Sequence, residues 1–170
     1  MKEELPPKDG IRFLPPFPTV LVGCGAGNKS NLITVALTHV FSFDPPMIGV
    51  GIAPERHSFS LIDEKEQFTV NVPNEQMLEE IKGCGSTTGK DVDKFKKFGL
   101  SKDQSGKTVI PTVKECPLSF ECELEKKIET GDHYWFIGKV LKSWKSKKMD
   151  RENSVLYWSG EFRKPGDILE

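Results

Sequence analysis

The sequence predicts a mainly β protein with short helices, built as an antiparallel barrel in a single domain over residues 1–170. Three observations favour this class: several short β-branched segments, few helical patches, and no regular alternation of strands with helices. A length of 170 residues is typical of one domain. A content of 36% hydrophobic and 29% charged residues is typical of a soluble, globular chain.

Charge and hydropathy exclude several classes of function. Lysine and arginine total 24 and aspartate and glutamate total 25, so the formal net charge is −1. Interspersed charges of both signs argue against a general nucleic-acid-binding protein. No apolar run approaches the roughly 20 residues of a membrane-spanning helix, and the first ten residues lack the apolar stretch of a secretory signal. We therefore expect a cytoplasmic protein with no nucleic-acid or membrane partner.

Strands are predicted wherever β-branched residues cluster or apolar residues alternate with polar ones. A proline-rich arm over residues 1–18 comes first and is expected to be extended, because proline fixes φ and lacks an N–H. The clearest strand alternates apolar residues with Ser119, Glu121 and Glu123, which predicts one buried and one solvated face. The predicted strands cover residues 19–24, 32–37, 47–52, 68–72, 118–124, 133–141 and 155–158.

Three short helices are predicted between these strands. Ser58 is expected to cap the first and Asn74 the second, which should end at Gly83. Apolar residues at a spacing of three before Gly99 indicate the third.

Arg56, His57 and Ser58 stand directly at the start of the first predicted helix. Free N–H groups at a helix start, a hydroxyl and a guanidinium together form an anion site, and a phosphate monoester fits it. The alternative is an exposed arginine beside an ordinary serine cap.

Asn31 and Thr34 place polar groups in an otherwise apolar strand, next to glycines that permit close approach to the backbone. Their amide and hydroxyl would bond the edge of a flat heteroaromatic ligand. A turn asparagine and an edge-strand threonine are the alternative interpretation.

The segment Gly83–Asp91 superficially suggests a phosphate loop, but it does not match G-x-x-x-x-G-K-[ST]. It is one residue short, Asp91 replaces the required serine or threonine, and no apolar strand precedes it. Nucleoside-triphosphatase activity is therefore excluded. The hypothesis that this segment is a loop that closes over a ligand is retained.

Cys24, Cys84, Cys116 and Cys122 are too few for a disulfide scaffold and form no C-x-x-C pair. We expect isolated reduced thiols, with Cys122 pointing inward from its strand and Cys84 the most exposed. A metal site formed by cysteines and His133 would require these side chains to come together in the fold, which their spacing in the sequence does not show. No arrangement of side chains indicates a catalytic nucleophile.

Several segments, taken in order, resemble the flavin reductase-like family, and its flavoredoxin branch in particular. The likeness covers roughly residues 15–162, and the ordered series is more specific than any single motif. The segments that carry it are Asn31–Ala36, Ser42–Pro46, Arg56–Ser58, Phe68–Val72, Asp93–Phe95, Cys116–Leu118 and Gly131–His133.

The resemblance implies an FMN-binding split β-barrel that forms a homodimer, with FMN near the subunit interface. Ala36 stands where many relatives have serine, so one hydrogen bond to the flavin is missing or comes from the backbone. The implied contacts to the isoalloxazine ring and ribityl chain are Asn31, Leu32, Ile33, Thr34 and Ala36, those to the phosphate are Arg56, His57 and Ser58, and further contacts are Asn71, Lys94 and Phe95.

The activity implied by the resemblance is electron transfer through bound FMN. The chain would act as an NAD(P)H-dependent flavin or ferric-type reductase, or as a flavoredoxin-like protein with a redox protein as donor. Flavin chemistry requires no protein acid or nucleophile, which accounts for the lack of a catalytic motif. The alternatives are a non-catalytic flavin carrier or sensor on the same barrel, and a cysteine-based metal-binding domain.

Overall fold

The computed structural model describes residues 2–169 and places them in an antiparallel, mainly β fold. The strands are β1 Phe17–Pro18, β2 Val20–Cys24, β3 Asn31–Val35, β4 Thr38–Phe43, β5 Pro46–Ile52, β6 Gln67–Val72, β7 Lys102–Asp103, β8 Thr112–Val113, β9 Leu118–Thr130, β10 His133–Lys145, β11 Leu156–Trp158 and β12 Glu161–Arg163. The helices are α1 Pro7–Gly10, α2 His57–Lys65, α3 Leu78–Ser86 and α4 Lys94–Lys97, and 3₁₀ turns cover Ile11–Phe13, Gly27–Lys29, Glu75–Met77 and Arg151–Asn153.

A seven-stranded sheet in the order β3-β2-β6-β9-β10-β5-β4 forms the body of the molecule. Its two edge strands, β3 and β4, are separated in the chain only by Ala36 and Leu37. The chain therefore passes from one edge of the sheet to the other within two residues, and the sheet curls into a barrel. The Gly51 N–H donates to the Leu37 carbonyl at 2.7 Å, which continues the β4–β5 pairing just before β4. A smaller sheet, β1-β11-β12, joins the N-terminal arm to the C-terminal hairpin.

The predicted strands are all present, with shifted ends. Strand β9 runs on to Thr130 and β10 to Lys145, beyond the predicted bounds. Their pairing extends past the core into an exposed hairpin whose charged residues do not have the pattern of a buried strand. Strand β4 was not predicted, because this sheet edge exposes apolar and polar residues alike.

Three local predictions are wrong. Arg56, not Ser58, takes the cap position of α2, and Ser58 lies buried in the first turn. Helix α3 continues past Gly83 to Ser86. Part of the N-terminal arm is helical rather than extended, since proline is well suited to the first turn at Pro7. The Asn74 cap is confirmed: its side chain accepts from the Gln76 N–H in the turn that leads into α3.

Two apolar clusters form the core, one on each side of β2 and β3. Side chains that alternate along β2 separate into the two clusters, with Val22 in the first and Leu21 in the second. The first fills the barrel against α2 and includes Ile33, Phe68 and Phe136. The second lies under α3 and α4, so both helices are fixed against β3.

The face of β9 that was expected to be solvated is buried at Ser119 and Glu121. The chain from Ser105 to Val113 crosses this face and bonds to it. The Glu121 carboxylate accepts from the N–H groups of Gly106 and Thr108, at 2.9 Å each. The prediction of a solvated face is therefore wrong, because the polar residues of this face bind residues 105–113 instead of water.

Candidate functional site

A cavity of about 240 Å³ lies where β3, the start of α2 and the end of α3 meet. We refer to it as the anion pocket, because Arg56, Lys94 and the start of α2 bring cations and N–H donors to it, although the Glu55 carboxylate, 3.9 Å from Arg56, also lies in its lining. Its lining consists of Asn31, Ile33, Glu55, Arg56, His57, Ser58, Cys84, Gly85, Ser86, Thr87, Thr88, Gly89 and Lys94.

The first turn of α2 supplies one wall of the anion pocket. Its leading N–H groups have no partner within the helix, as in any helix start, and they carry the positive end of the helix dipole. Ser58 is buried, and its hydroxyl oxygen accepts from Asn31 Nδ2 at 2.9 Å. Burial raises the pKa of the neighbouring Cys24 thiol to about 11, and a hydrogen bond with the Ser58 hydroxyl lowers it. The Arg56 guanidinium lies at the rim, with its side chain 56% exposed.

Lys94 supplies a buried positive charge to the same pocket. The residue is 3% exposed, and its ammonium donates to the carbonyls of Leu32 and Cys84 at 2.7 Å each. Among the ion pairs of residues 2–169, none includes Lys94. An ammonium has three donors, so one donor and the full charge remain for a ligand. Burial lowers the pKa of Lys94, the thiols of Cys84 and Cys24 raise it, and Arg56 lowers it.

His57 borders the anion pocket at the start of α2. Burial lowers the pKa of its imidazole, and the nearby charges of Lys90 and Lys94 lower it further. These effects favour the neutral imidazole, and positive charge in the pocket comes from lysine and arginine.

Asn31 presents an unused acceptor to the pocket. Its Oδ1 is buried and has no hydrogen-bond partner among residues 2–169. A Cβ at Gly89 would lie 2.1 Å from this oxygen, so only glycine fits beside it. Buried carbonyl oxygens are normally bonded, which makes Oδ1 a candidate acceptor for a hydroxyl of a bound molecule.

A second cavity, which we call the aromatic pocket, lies on the opposite face of β3, under the β11–β12 hairpin. Its volume is about 470 Å³, and it shares Gly85 and Ser86 with the anion pocket. Tyr157 and Phe162 contact each other edge to face at 5.5 Å between ring centroids and form its outer wall. Thr34, which donates to the Ile81 carbonyl at 2.5 Å, lies at its floor with Ala36, Ile81 and Thr19.

The structure brings most of the expected site residues to these two cavities. Asn31, Ile33, Arg56, His57, Ser58 and Lys94 line the anion pocket, and Thr34 and Ala36 line the aromatic pocket. Leu32 and Phe95 point into the second apolar cluster instead. Leu32 still contributes its carbonyl, which holds the Lys94 ammonium.

Asn71 lies away from both cavities, contrary to expectation. Its amide nitrogen donates to the Leu21 carbonyl at 3.0 Å, and its oxygen accepts from the Val113 N–H and the Ser119 hydroxyl at 2.9 Å each. Protein groups satisfy this fully buried side chain, so its role is to hold the segment that crosses β6 and β9.

No contact residue was predicted from α3 or from the C-terminal hairpin, although the interpretation of Gly83–Asp91 as a loop that closes over a ligand was left open. Thr87, Thr88 and Gly89 belong to the segment that failed the phosphate-loop pattern. Gly89, a glycine beside polar residues, was the only local signal. Nothing in the sequence near Tyr157 and Phe162 indicated that a short hairpin would lie over Thr34.

The cysteines do not form a second centre. Cys84 was expected to be the most exposed, yet it is fully buried because it faces the second cluster from α3. Burial raises its pKa to about 11. Cys122 points inward as predicted, and burial raises its pKa to about 12. Residues 2–169 contain no group of three or more histidine, cysteine or acidic side chains that could hold a metal, and His133 bonds Asp132 in the exposed hairpin.

The model of the flavin reductase like domain family matches residues 14–166. The chain belongs to the flavin reductase-like family. An uncharacterized protein of Pyrococcus abyssi is 38% identical over 133 residues, which are 78% of this chain and 76% of that protein. A flavin reductase of Pseudomonas putida is 32% identical over 139 residues, which are 80% of this chain and 74% of that protein. The resemblance found in the motifs is thus confirmed.

The solved structure of a flavoredoxin from Methanosarcina acetivorans superimposes with a TM-score of 0.88. The match covers 100% of this chain and 94% of that chain at 25% identity. The predicted split-barrel fold class is confirmed. No helix within residues 2–169 has the length and apolar character needed to cross a membrane.

Proposed function

We propose that this protein binds FMN and passes electrons through it. Its activity would be that of an NAD(P)H-dependent flavin or ferric-type reductase, or of a flavoredoxin-like protein reduced by a redox partner. The observation that carries the proposal is the buried Lys94 ammonium, which faces the anion pocket without a carboxylate partner in the described chain. A buried charge is costly unless it is compensated, and a phosphate would compensate it.

The anion pocket fits a phosphate monoester in several independent respects. Lys94 and Arg56 supply charge, the first turn of α2 supplies backbone N–H groups, and Ser58 supplies a hydroxyl. Asn31 Oδ1 would accept from a ribityl hydroxyl next to the phosphate. Riboflavin offers the hydroxyl but not the phosphate, which makes FMN the better ligand.

The isoalloxazine ring would lie along β3 towards Thr34 and Ala36, as the family resemblance implies. The bound flavin supplies hydride and electron chemistry, so the side chains need only bind it, orient it and keep water away. Alanine at position 36 has no hydroxyl to offer, and backbone groups of β3 would take that role. We assign no catalytic residue.

Two relatives support the two forms of the activity. The Pseudomonas putida relative is named a flavin reductase, which supports the reductase form. The structural neighbour from Methanosarcina acetivorans is named a flavoredoxin, which supports the electron-transfer form. All four cysteines are free and buried, which fits a reducing compartment, and we place the protein in the cytoplasm.

We also propose a homodimer that covers the β4 edge of the sheet. Val40 and Phe41 are exposed there, and Phe43 is 90% exposed. An apolar edge strand invites pairing with another chain, and Ala36 and Thr34 lie only a few residues before it. A second copy on this edge would bring the subunit interface close to the flavin.

The test is a visible spectrum of the purified protein followed by an NAD(P)H oxidation assay. The proposal predicts flavin absorption bands, retention of FMN at about one per chain, and oxidation of NADH or NADPH with an added acceptor or reduction by a redox protein. Bound FMN that no donor reduces would identify a carrier or sensor. Protein that neither contains nor takes up FMN would contradict the proposal.

A further inference from the structure

Thr19 lies directly before β2 and lines the aromatic pocket. The antiparallel register pairs Val20 with Val35, so Thr19 and Ala36 are the next facing positions on the two strands. Facing residues project to the same side of a sheet, and residues two apart on a strand share that side. Leu21 enters the second apolar cluster under α3. The Thr19 side chain therefore lies on the side of the sheet where the aromatic pocket is.

The hydroxyl of Thr19 is buried and unpaired. The residue is 1% exposed, and its Oγ1 has no hydrogen-bond partner among residues 2–169. Its N–H, by contrast, donates to the Val155 carbonyl at 2.8 Å, which fixes the backbone that carries this side chain. A buried hydroxyl without a partner costs free energy, and such groups are rare in folded proteins. A polar atom of a ligand in the aromatic pocket would remove this cost.

The other aliphatic hydroxyls in the lining of the aromatic pocket already donate within the chain. Thr34 donates to the Ile81 carbonyl at 2.5 Å, and Ser86 donates to the Lys82 carbonyl at 2.9 Å. Most of the remaining lining is apolar or aromatic. Among the aliphatic hydroxyls of this lining, the one left for a ligand is therefore that of Thr19.

We propose that the Thr19 hydroxyl donates a hydrogen bond to the isoalloxazine ring of bound FMN, in addition to the backbone groups of β3. This inference rests on the proposed function, which places the ring towards Thr34 and Ala36. The carbonyl oxygens and unprotonated nitrogens of the oxidised ring are acceptors, and they gain electron density when the ring is reduced. A donor to one of them binds the reduced ring more tightly than the oxidised ring. Thr19 thus raises the midpoint potential of the flavin, because hydrogen bonds to the ring tune its electronics.

The experiment compares Thr19→Val with Thr19→Ser and with Thr69→Val. Valine keeps the branched shape of threonine and removes the hydroxyl, whereas serine keeps the hydroxyl. Thr69 is the matched control: it is fully buried and lines neither pocket, but its hydroxyl already donates to the Pro111 carbonyl at 3.0 Å. The measurements are the affinity for FMN, the midpoint potential of bound FMN and the melting temperature of the apoprotein.

The inference predicts that Thr19→Val weakens FMN roughly 2- to 12-fold, the value of one neutral hydrogen bond, and lowers the midpoint potential. Its apoprotein should melt no lower than the wild type, because the hydroxyl forms no hydrogen bond within the described chain. Thr19→Ser should restore both the affinity and the potential. Thr69→Val should show the opposite pattern, with a lower melting temperature and unchanged flavin binding.

Two results would count against this assignment, and they differ in what else they contradict. Wild-type affinity and potential in a folded Thr19→Val protein would overturn the inference alone, and a lower melting temperature in that variant would give the hydroxyl a purely structural role. Wild-type protein that binds no FMN would contradict the proposed function, and the inference with it.

Discussion

Asn31 Nδ2 donates a 2.9 Å hydrogen bond to Ser58 Oγ, joining the start of β3 to the first turn of α2. In this bond the Ser58 hydroxyl oxygen is the acceptor, so the Ser58 hydroxyl proton points away from Asn31. It also leaves Asn31 Oδ1 without a partner in the part of the chain that the structure describes. Two motifs 27 residues apart thus form one wall of the anion pocket, and Asn31 Oδ1 is the unused acceptor in that wall.

Arg56 should contribute to affinity through the phosphate alone. Replacing it with alanine is expected to weaken FMN by roughly 10- to 150-fold, the value of a charged hydrogen bond of about 1.5–3 kcal/mol. Riboflavin should lose little. Titration of the apoprotein with each flavin measures both, and Arg151→Ala, in an exposed turn remote from the pocket, is the matched control. Equal losses for the two flavins would place the phosphate elsewhere.

Glu121 should stabilise the fold through the segment that crosses β9. Glu121→Gln should lower the free energy of unfolding at pH 7 by about 2 kcal/mol, because charged hydrogen bonds to Gly106, Lys107, Thr108 and the Trp144 indole weaken. Urea denaturation measures it. Glu123→Gln, an exposed neighbour on the same strand, should change little, whereas equal effects at both positions would contradict the assignment.

The same carboxyl gives stability a definite pH dependence. Burial by itself raises the pKa of Glu121, but the N–H donors lower it more, and the net direction is down. A carboxyl with a folded-state pKa below its unfolded value stabilises above the unfolded pKa and loses this contribution as pH falls through the folded one. Stability of the wild type should therefore drop below about pH 4.5, and Glu121→Gln should show a shallower drop. If the free energy of unfolding fell equally with decreasing pH in the wild type and in Glu121→Gln, this assignment would be contradicted.

The exposed apolar edge at β4 should hold the proposed dimer together. The FMN-bound protein is expected to have about twice the 19.1 kDa chain mass in sedimentation. Phe43→Lys should shift it to the monomer, because a charge at a 90% exposed apolar position opposes burial against a second copy. Ile168→Lys, another highly exposed apolar residue but in the C-terminal segment, is the control. A wild-type monomer that retains its flavin would contradict the dimer.

The thiols should be unreactive and dispensable. All four cysteines are buried, and burial raises the pKa of Cys24 and Cys84 to about 11, so little thiolate exists at pH 7. Ellman's reagent should label the native protein slowly and label all four thiols after denaturation. Cys84→Ser and Cys122→Ala should keep FMN content and its reduction by a chemical donor. Loss of flavin reduction with FMN still bound would assign a thiol to the electron path.

Local pattern predicts the strands well, because β-branched clusters and alternation report burial directly. It does not predict β4, whose exposed edge has no buried face, or the cover over Ser119 and Glu121, whose partners come from residues 105–113. The helix start at Arg56–Ser58 can also be predicted, because it depends only on residues that are neighbours in the sequence. The charge state and orientation of Lys94 cannot be predicted from the sequence, because they depend on the carbonyls of Leu32 and Cys84, which only the fold places together.

Lys94 provides the most direct test of the central claim that the anion pocket holds the phosphate of FMN. Lys94→Met preserves most of the side-chain volume and removes the buried charge, and Lys97→Met, exposed on the same helix, is the control. The measurement is the ratio of FMN to riboflavin affinity in titrations of the folded apoproteins, with circular dichroism to establish folding. The account predicts a large preference for FMN in the wild type and in Lys97→Met, and a preference at least tenfold smaller in Lys94→Met. An unchanged ratio in a folded Lys94→Met protein would contradict it.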